Sequence, residues 1–419
     1  MSATVEKTVD SGKVTCQICG ELTHIVIGHV AKSHPEYIQS IVDEIGEAEE
    51  GKEKQHRSIL FSAIEEKYTT EFSLAEIYSE AAKKAIESKN SHKKESQGAK
   101  TSKSTVDLNE YYELKPIDEV FNILSSPKTR DISGNTIMVQ CMKAHNYQYL
   151  VPEKKSQYVW DIDTLKIIIM GVELKIPSFL WGFAGVGKSS GFTQYCASTN
   201  RPMIRVQHTG DTESSHIIGQ TLANEKGTFF NPGPLAEAMR KGWFFLADEY
   251  DFAFPQVTSV YQPVLEGEQL YIKEADEEWK VVEPHPCFYM AATGNTNGAG
   301  DETGLFQGVN MQNAANFERF GIVHKVDFME KRKEIEMLSR TFDVDKKHVE
   351  PVVEFVTAIR RARNDGKMSN VAGQRVSLRM VEIYINTGDY MKSCELSFLN
   401  RLPESDRSIA EQIAQRFFG

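Results

Sequence analysis

The sequence predicts an α/β core built on a parallel sheet, an all-α region after it, and a small cysteine- and histidine-bearing module before it. Three observations carry that expectation. A glycine-rich loop near the middle of the chain joins an apolar strand to the start of a helix, and further short apolar strands alternate with helical stretches after it. That is the pattern of a sheet covered on both faces. From residue 330 onward only helical periodicities remain. Two cysteines and two histidines lie at close spacing within the first 34 residues.

Length and composition bound the answer before any motif is weighed. With 419 residues, 40% hydrophobic and 26% charged, the chain is long enough for two or three globular domains. A net charge of −11 argues against a protein that coats nucleic acid. Six cysteines with only one close pair make reduced thiols in a cytosolic compartment the expectation, not a disulfide framework. The polar N-terminus has no apolar signal core, and the aliphatic run at 165 to 172 falls far short of a membrane span. These features predict a soluble cytoplasmic protein, in the cytoplasm of a host cell if the gene is viral.

The first element, residues 1 to 45, carries Cys16-x-x-Cys19, nine residues, His29, four residues and His34. Two thiolates and two imidazoles suit tetrahedral Zn²⁺ at these spacings, with His24 as an alternative ligand. On an ideal helix an i,i+5 pair is about 140° apart, so the turn carrying His29 and His34 must be locally widened. Pro35 helps by pushing its predecessor out of the α region. The stretch resembles the bacterial Ros/MucR type of zinc finger, which shares the nine-residue spacer. Three lysines and no arginine against six acidic residues are a poor footprint for a DNA reader, so contact with protein is expected.

Residues 46 to 87 read as helical, with Ser73 and Glu76 forming a capping box before a second helix that pairs with one around Ile59, Leu60, Phe61 and Ile64. Residues 88 to 105, rich in lysine and serine, read as a flexible linker. The α/β core is expected over 106 to 340, with helices near 117 to 124 and 163 to 171, and the helical region over 341 to 419.

Within the core, residues 182 to 189 fit G-x-x-x-x-G-K-[ST] after the apolar run Pro177 to Trp181. Such a loop cradles phosphates with backbone N–H groups; its lysine reaches the β/γ-phosphates and its hydroxyl holds Mg²⁺. Gly182, Gly185, Val186, Gly187, Lys188, Ser189 and Ser190 are therefore the candidate ATP-binding residues. The strand 242 to 247 ends in Asp248 and Glu249. In phosphate-loop ATPases the first acid serves the metal and the second polarises the attacking water. A further strand, 288 to 293, ends at Asn295, whose side chain can sit between the acid pair and the γ-phosphate.

Residues from about 145 to 345 resemble AAA+ ATPases of the MoxR and magnesium-chelatase group, in particular the ATPase subunits of aerobic cobalt-inserting chelatases. WGFAGVGKSS, LADEYD, LEGEQLYI, HPCFYMAATGNTNGAGDETGLFQG and NFERF carry the resemblance in family order. The resemblance implies an AAA+ core with a helical lid, Asn295 as the sensor 1 residue, Arg319 as an arginine finger and Arg379 as the sensor 2 residue. It also implies two β-hairpin insertions, for which 217 to 235 and 269 to 284 are the candidates, and a ring of six subunits acting on a protein with a von Willebrand factor A-type domain. The N-terminal module, the linker and Glu318, where the family has Asp, depart from the chelatase pattern. The expected function is thus a Mg-ATP-hydrolysing ring that remodels a protein partner. The alternatives are a subunit of a cobalt or magnesium chelatase, a zinc-finger nucleic-acid-binding regulator with a nucleotide switch, and a phosphate-loop kinase, which the adjacent acid pair disfavours.

Overall fold

The computed structural model describes residues 14–23, 26–45, 56, 59–61, 63, 64, 67, 68 and 108–419 apart from 226, 302, 303 and 305. His24, the Ser73/Glu76 capping box with its helix, and the linker lie outside the described residues. The chain divides into two units, Met1–Val106 and Asp107–Gly419.

In the first unit, β1 (Val14–Thr15) and β2 (Leu22–Thr23) pair antiparallel around the two cysteines, followed by α1 (Val26–Ser33) and α2 (Pro35–Ile45). His34 lies between the helices: its N–H closes the last turn of α1 on Val30 O at 3.0 Å, and Pro35 opens α2. The widening expected between His29 and His34 is this helix break. The module's core is Val14, Cys16, Val26, Ile27, Val30, Ile38 and Ile41, closed by Ile64 and Tyr68, both 0% exposed. The expected boundary at residue 45 is therefore corrected, since so short a segment has too little apolar surface of its own and draws two residues one helical turn apart into its core. Tyr68 also accepts the Gln17 N–H at 2.7 Å.

The second unit is built on a parallel sheet ordered β13-β5-β12-β9-β6, from β5 (Ser178–Trp181), β6 (Met203–Gln207), β9 (Phe244–Asp248), β12 (Tyr289–Gly294) and β13 (Ile322–Lys325). A flanking antiparallel pair, β3 (Tyr112–Pro116) and β4 (Met138–Met142), precedes it. Every residue of β9 and β12 is buried, as expected of central strands covered on both faces. Their side chains alternate between two cores. Leu180, Leu246 and Ala291 face α3 (Ile162–Glu173) and α4 (Lys188–Ser198) through Leu165, Ile168, Phe192 and Tyr195. Phe179, Phe245 and Met290 face the other side, with Leu235, Met239 and Tyr261. Asp161 caps α3 by accepting the Thr164 N–H at 3.1 Å.

Both expected hairpins form. After β6, α5 (Ser214–Ile218) leads into β7 (Gly219–Asn224) and β8 (Gly227–Pro232), and the chain returns through α6 (Pro234–Lys241). The second hairpin pairs β10 (Leu270–Tyr271) with β11 (Val281–Val282). The two are tied together: the Phe230 N–H donates to Asp276 Oδ2 at 3.1 Å and Thr221 Oγ1 to Glu274 O at 3.2 Å.

The lid comprises α7 (Lys331–Phe342), α8 (Lys346–Asn364), α9 (Gln374–Thr387), α10 (Tyr390–Ser397) and α11 (Glu404–Phe418) around Leu338, Val352, Phe355, Ile359, Met380, Phe398 and Ala410. The expected boundary between 340 and 341 falls inside α7. Because Ile335 and Leu338 belong to the lid's core, the lid begins at Lys331. A buried ion pair fixes its interior: Arg360 grips Glu334 with two nitrogens at 2.6 and 3.0 Å, and Ser377 Oγ donates to Glu334 Oε1 at 2.6 Å. Among the described residues no helix is long and apolar enough to cross a membrane.

Candidate functional site: the nucleotide cleft and a cysteine–histidine cluster

The strand order puts the C-terminal ends of β5, β9 and β12 side by side, and the residues read as ATP-binding meet there. Between β5 and α4 the loop has positive φ at Gly182 (144°), Gly185 (82°) and Gly187 (97°). At Gly182 a Cβ would lie 2.3 Å from Val326 O, so the loop can approach the segment after β13 only without a side chain there. Val186, Gly187 and Ser190 line a cleft of about 890 Å³ that extends to Tyr158, His324, Met337 and Leu378, a volume that suits a nucleotide.

Lys188 is 9% exposed and donates to Gly182 O at 2.6 Å, Phe183 O at 3.0 Å and Asn295 Oδ1 at 3.1 Å. Burial pushes its ammonium down to about 8, against the attraction of Asp251, Asp248 and Glu249. Ser189 Oγ donates to Asp248 Oδ1 at 2.5 Å, so a hydroxyl and a carboxylate converge as an oxygen donor set for a small dication. Glu249 has φ 53°, a strained left-handed conformation for a residue with a side chain. Its N–H donates to Thr293 Oγ1 at 3.3 Å and its carboxylate accepts from Gln207 Nε2 at 2.8 Å. Asn295 is held from below: its N–H and those of Thr296 converge with the Thr296 hydroxyl on Asp251 Oδ2 at 2.8 to 3.0 Å.

The two arginines carried over from the resemblance do not reach this cluster. Arg319 donates to Glu266 Oε1 at 2.7 Å and to Ala315 O at 2.5 Å. Arg379, expected as the lid cation at the nucleotide, has a side chain 71% exposed and pairs with Glu382 of its own helix. The lid instead meets the phosphate loop one turn earlier. A Cβ added at Gly185 would lie 3.5 Å from Arg375 Cγ, and Gln374 lines the cleft together with Gly187. The N-terminal end of α9, not its middle where Arg379 stands, abuts the loop.

Several side chains in the site escaped sequence reasoning. Arg205 donates from Nε to Asp248 Oδ2 at 2.7 Å, and Thr293 Oγ1 donates to Asp248 Oδ1. Asp251 is fully buried, its carboxyl pushed upward by burial against the hydrogen bonds it accepts. An aromatic–guanidinium stack joins loop and lid: Phe183 stacks on Phe328 with centroids 5.5 Å apart, Arg363 covers Phe183 at 4.4 Å, and Arg360 covers Phe328 at 4.3 Å.

In the N-terminal module the candidate ligands converge. One donor atom each from Cys16, Cys19, His29 and His34 lies within 4.8 Å of the others. Cys19 Sγ is 3.2 Å from His29 Nε2, and Cys16 Sγ is 3.9 Å from His34 Nε2. A tetrahedral zinc with ordinary bond lengths has sulfur–nitrogen edges of roughly 3.6 Å, and the two distances lie within about 0.4 Å of that on either side, so small side-chain shifts seat the ion. With Nε2 facing the cluster, His34 turns Nδ1 toward Glu36 at 3.6 Å, a carboxylate partner of the kind that orients metal-binding imidazoles.

Comparison with known proteins agrees with this geometry. Residues 177–309 match the AAA domain of the dynein-related subfamily. The aerobic cobaltochelatase subunit CobS of a Sinorhizobium species is 29% identical over 279 residues, covering 64% of this chain and 83% of CobS. Protein CbbQ of Hydrogenophilus thermoluteolus is 33% identical over 122 residues, 29% of this chain and 45% of its own length. Protein NorQ of Paracoccus denitrificans is 26% identical over 185 residues, 44% of this chain and 65% of its own. A phosphate loop, an acid pair and a polar strand tip on a five-stranded parallel sheet, together with these matches, make the chain an AAA-domain ATPase that is similar in sequence to CobS, CbbQ and NorQ.

Proposed function

We propose that this ATPase works as a ring, of six subunits, that uses Mg-ATP hydrolysis to remodel a protein partner bearing a von Willebrand factor A-type domain. Lys188 and the loop N–H groups bind the β/γ-phosphates, Ser189 and Asp248 hold Mg²⁺, Glu249 orients and polarises the attacking water, and Asn295 reports the γ-phosphate. Bound Mg²⁺ would neutralise phosphate charge. Cys16, Cys19, His29 and His34 would hold a structural zinc in the N-terminal module. On the lid, Arg375 is the cation we assign to the nucleotide in place of Arg379.

The observation that carries the ring reading is the direction of Arg319. Its guanidinium is held by Glu266 and Ala315 O and not by the cluster of Lys188, Ser189, Asp248, Glu249 and Asn295, as suits a group that serves a neighbour's γ-phosphate. The tied hairpins expose Leu222, Phe229, Tyr271 and Val281, an apolar surface for a partner. Service as the ATPase subunit of a metal chelatase is the second reading, favoured by the match that spans 83% of CobS; it changes the partner and leaves the site as it is.

The test is subunit mixing. Arg319→Ala protein should bind ATP and hydrolyse it very slowly, by a factor of ~10³ or more if it behaves as other arginine fingers do. Mixed with Lys188→Ala protein, which has a dead site and a good finger, it should regain activity at interfaces where finger and site are both intact. No recovery, with rings still formed, would remove Arg319 from the neighbour's site. A Glu249→Gln protein, loaded with ATP and stalled before hydrolysis, is the bait for capturing the partner.

A further inference from the structure

The carboxylate of Asp248 is fully engaged by protein groups alone. Its Oδ1 accepts the hydroxyls of Ser189 and Thr293, and its Oδ2 accepts Arg205 Nε at 2.7 Å and pairs with a second guanidinium nitrogen. The two partners live in different surroundings. Asp248 is 2% exposed, whereas the Arg205 side chain is 48% exposed and lines the nucleotide cleft with Gly187, Ser190 and Gly191. Arg205 stands on the edge strand β6, two residues before Gln207, so the two side chains share a face of the strand. One holds Asp248 and the other Glu249.

We propose that Arg205 is the exchangeable counter-ion of Asp248: it holds the carboxylate until Mg²⁺ competes for it, and then stands free as a cation at the phosphate end of the cleft. A buried carboxylate needs a positive partner. Lys188 does not fill that role, because its ammonium is held by two loop carbonyls and Asn295. Mg²⁺ selects the hydroxyl and carboxylate oxygens that Ser189 and Asp248 bring together. A dication and a guanidinium on one carboxylate repel each other, so occupancy by either weakens the other. Of the two protein groups only the arginine is long and half in solvent, so it is the one that moves. Metal arrival then adds a mobile positive charge to the cleft, where it can stabilise charge on the transferring phosphoryl group. The inference rests on the Mg-ATP reading of the cleft.

The experiment uses the full chain and needs no turnover. Thermal melting is followed against Mg²⁺ alone, and binding of a fluorescent ADP analogue against Mg²⁺, for the parent, Arg205→Ala and Arg205→Lys. Removing the competitor should lower the half-saturating Mg²⁺ concentration by roughly three- to tenfold in Arg205→Ala, the range a partly exposed ion pair supports. Arg205→Lys, which keeps a charge and loses the fork, should fall between. An unchanged or higher Mg²⁺ requirement in variants that still bind the analogue overturns the proposal. Should Arg205→Ala fail to fold, the same comparison on Arg205→Lys decides it. If the parent binds no Mg-nucleotide, or Lys188→Ala binds it as tightly as the parent, the reading of the cleft fails instead.

Discussion

Raising the pH should strip nucleotide from this protein by neutralising Lys188. Burial holds the ammonium's pKa at about 8 in the free protein, well below the ordinary 10.5. The carboxylates of Asp251, Asp248 and Glu249 support its charge, and Arg375 opposes it. Phosphates in contact with the ammonium add negative charge, so the complex has the higher pKa. Between the two values the complex keeps a proton that the free protein has lost. Binding therefore takes up a proton there, and affinity falls as pH rises, by up to about tenfold per unit. With the free value at about 8, affinity at about pH 9 should be roughly a tenth of that at about pH 7. The stability of the ligand-free protein moves the other way. The folded state binds fewer protons at this group than the unfolded chain, so its contribution to stability rises with pH between about 8 and 10.5 and is flat below. Loss of binding is thus separable from unfolding. Calorimetric titration of Mg-ADP across this range, in buffers of different ionisation enthalpy, measures both affinity and proton uptake. A flat affinity, or an equal slope in a Lys188→Met variant, refutes the reasoning.

Two further outcomes follow from geometry elsewhere. Purified protein should carry about one zinc per chain, lost in a Cys16→Ser/Cys19→Ser pair while ATPase activity survives; metal analysis showing unchanged zinc would remove the cluster's assignment. Glu334→Ala leaves the buried guanidinium of Arg360 without its carboxylate and Ser377 without its acceptor. It should destabilise the lid by about 3–5 kcal/mol, and an unchanged denaturant midpoint would show the pair to be dispensable.

The parts of the site that could be read in the sequence are those whose chemistry is local along the chain. The phosphate loop, the Asp248–Glu249 pair and the Cys16-to-His34 cluster each bring their donors within a few tens of residues, and spacing reveals them. Asn295 is legible as the tip of an apolar strand, while its sensor role and the hairpins rest on family resemblance. The rest depends on tertiary register. Arg205 reaches Asp248 because β6 lies beside β9 with Gln207 opposite Asp248, and nothing in MIRVQ announces that neighbour. Arg375 and Arg379 lie four residues apart on one helix, so periodicity treats them alike; only the docking of the N-terminal end of α9 against Gly185 separates them. Ile64 and Tyr68 read as ordinary helix positions until the small size of the finger's own core explains why they are drawn into it. The lid boundary was misplaced for a related reason, since α7 is amphipathic whichever domain it serves.

The stack of Phe183 on Phe328, with Arg363 and Arg360 over the two rings, gears the lid to the active site. Phe183 is part of the phosphate loop, and its carbonyl is one of the three acceptors of the Lys188 ammonium. Phe328 lies in the connection between β13 and α7, the segment that joins the sheet to the lid. Rotation of the lid must therefore either carry the Phe183 peptide with it or shear ring and guanidinium contacts worth about 0.5–1.5 kcal/mol each. In the first case a degree of turn in a bundle of five helices becomes a displacement at a single carbonyl oxygen, and torque delivered to the lid is felt as a change in how tightly one ammonium group is held.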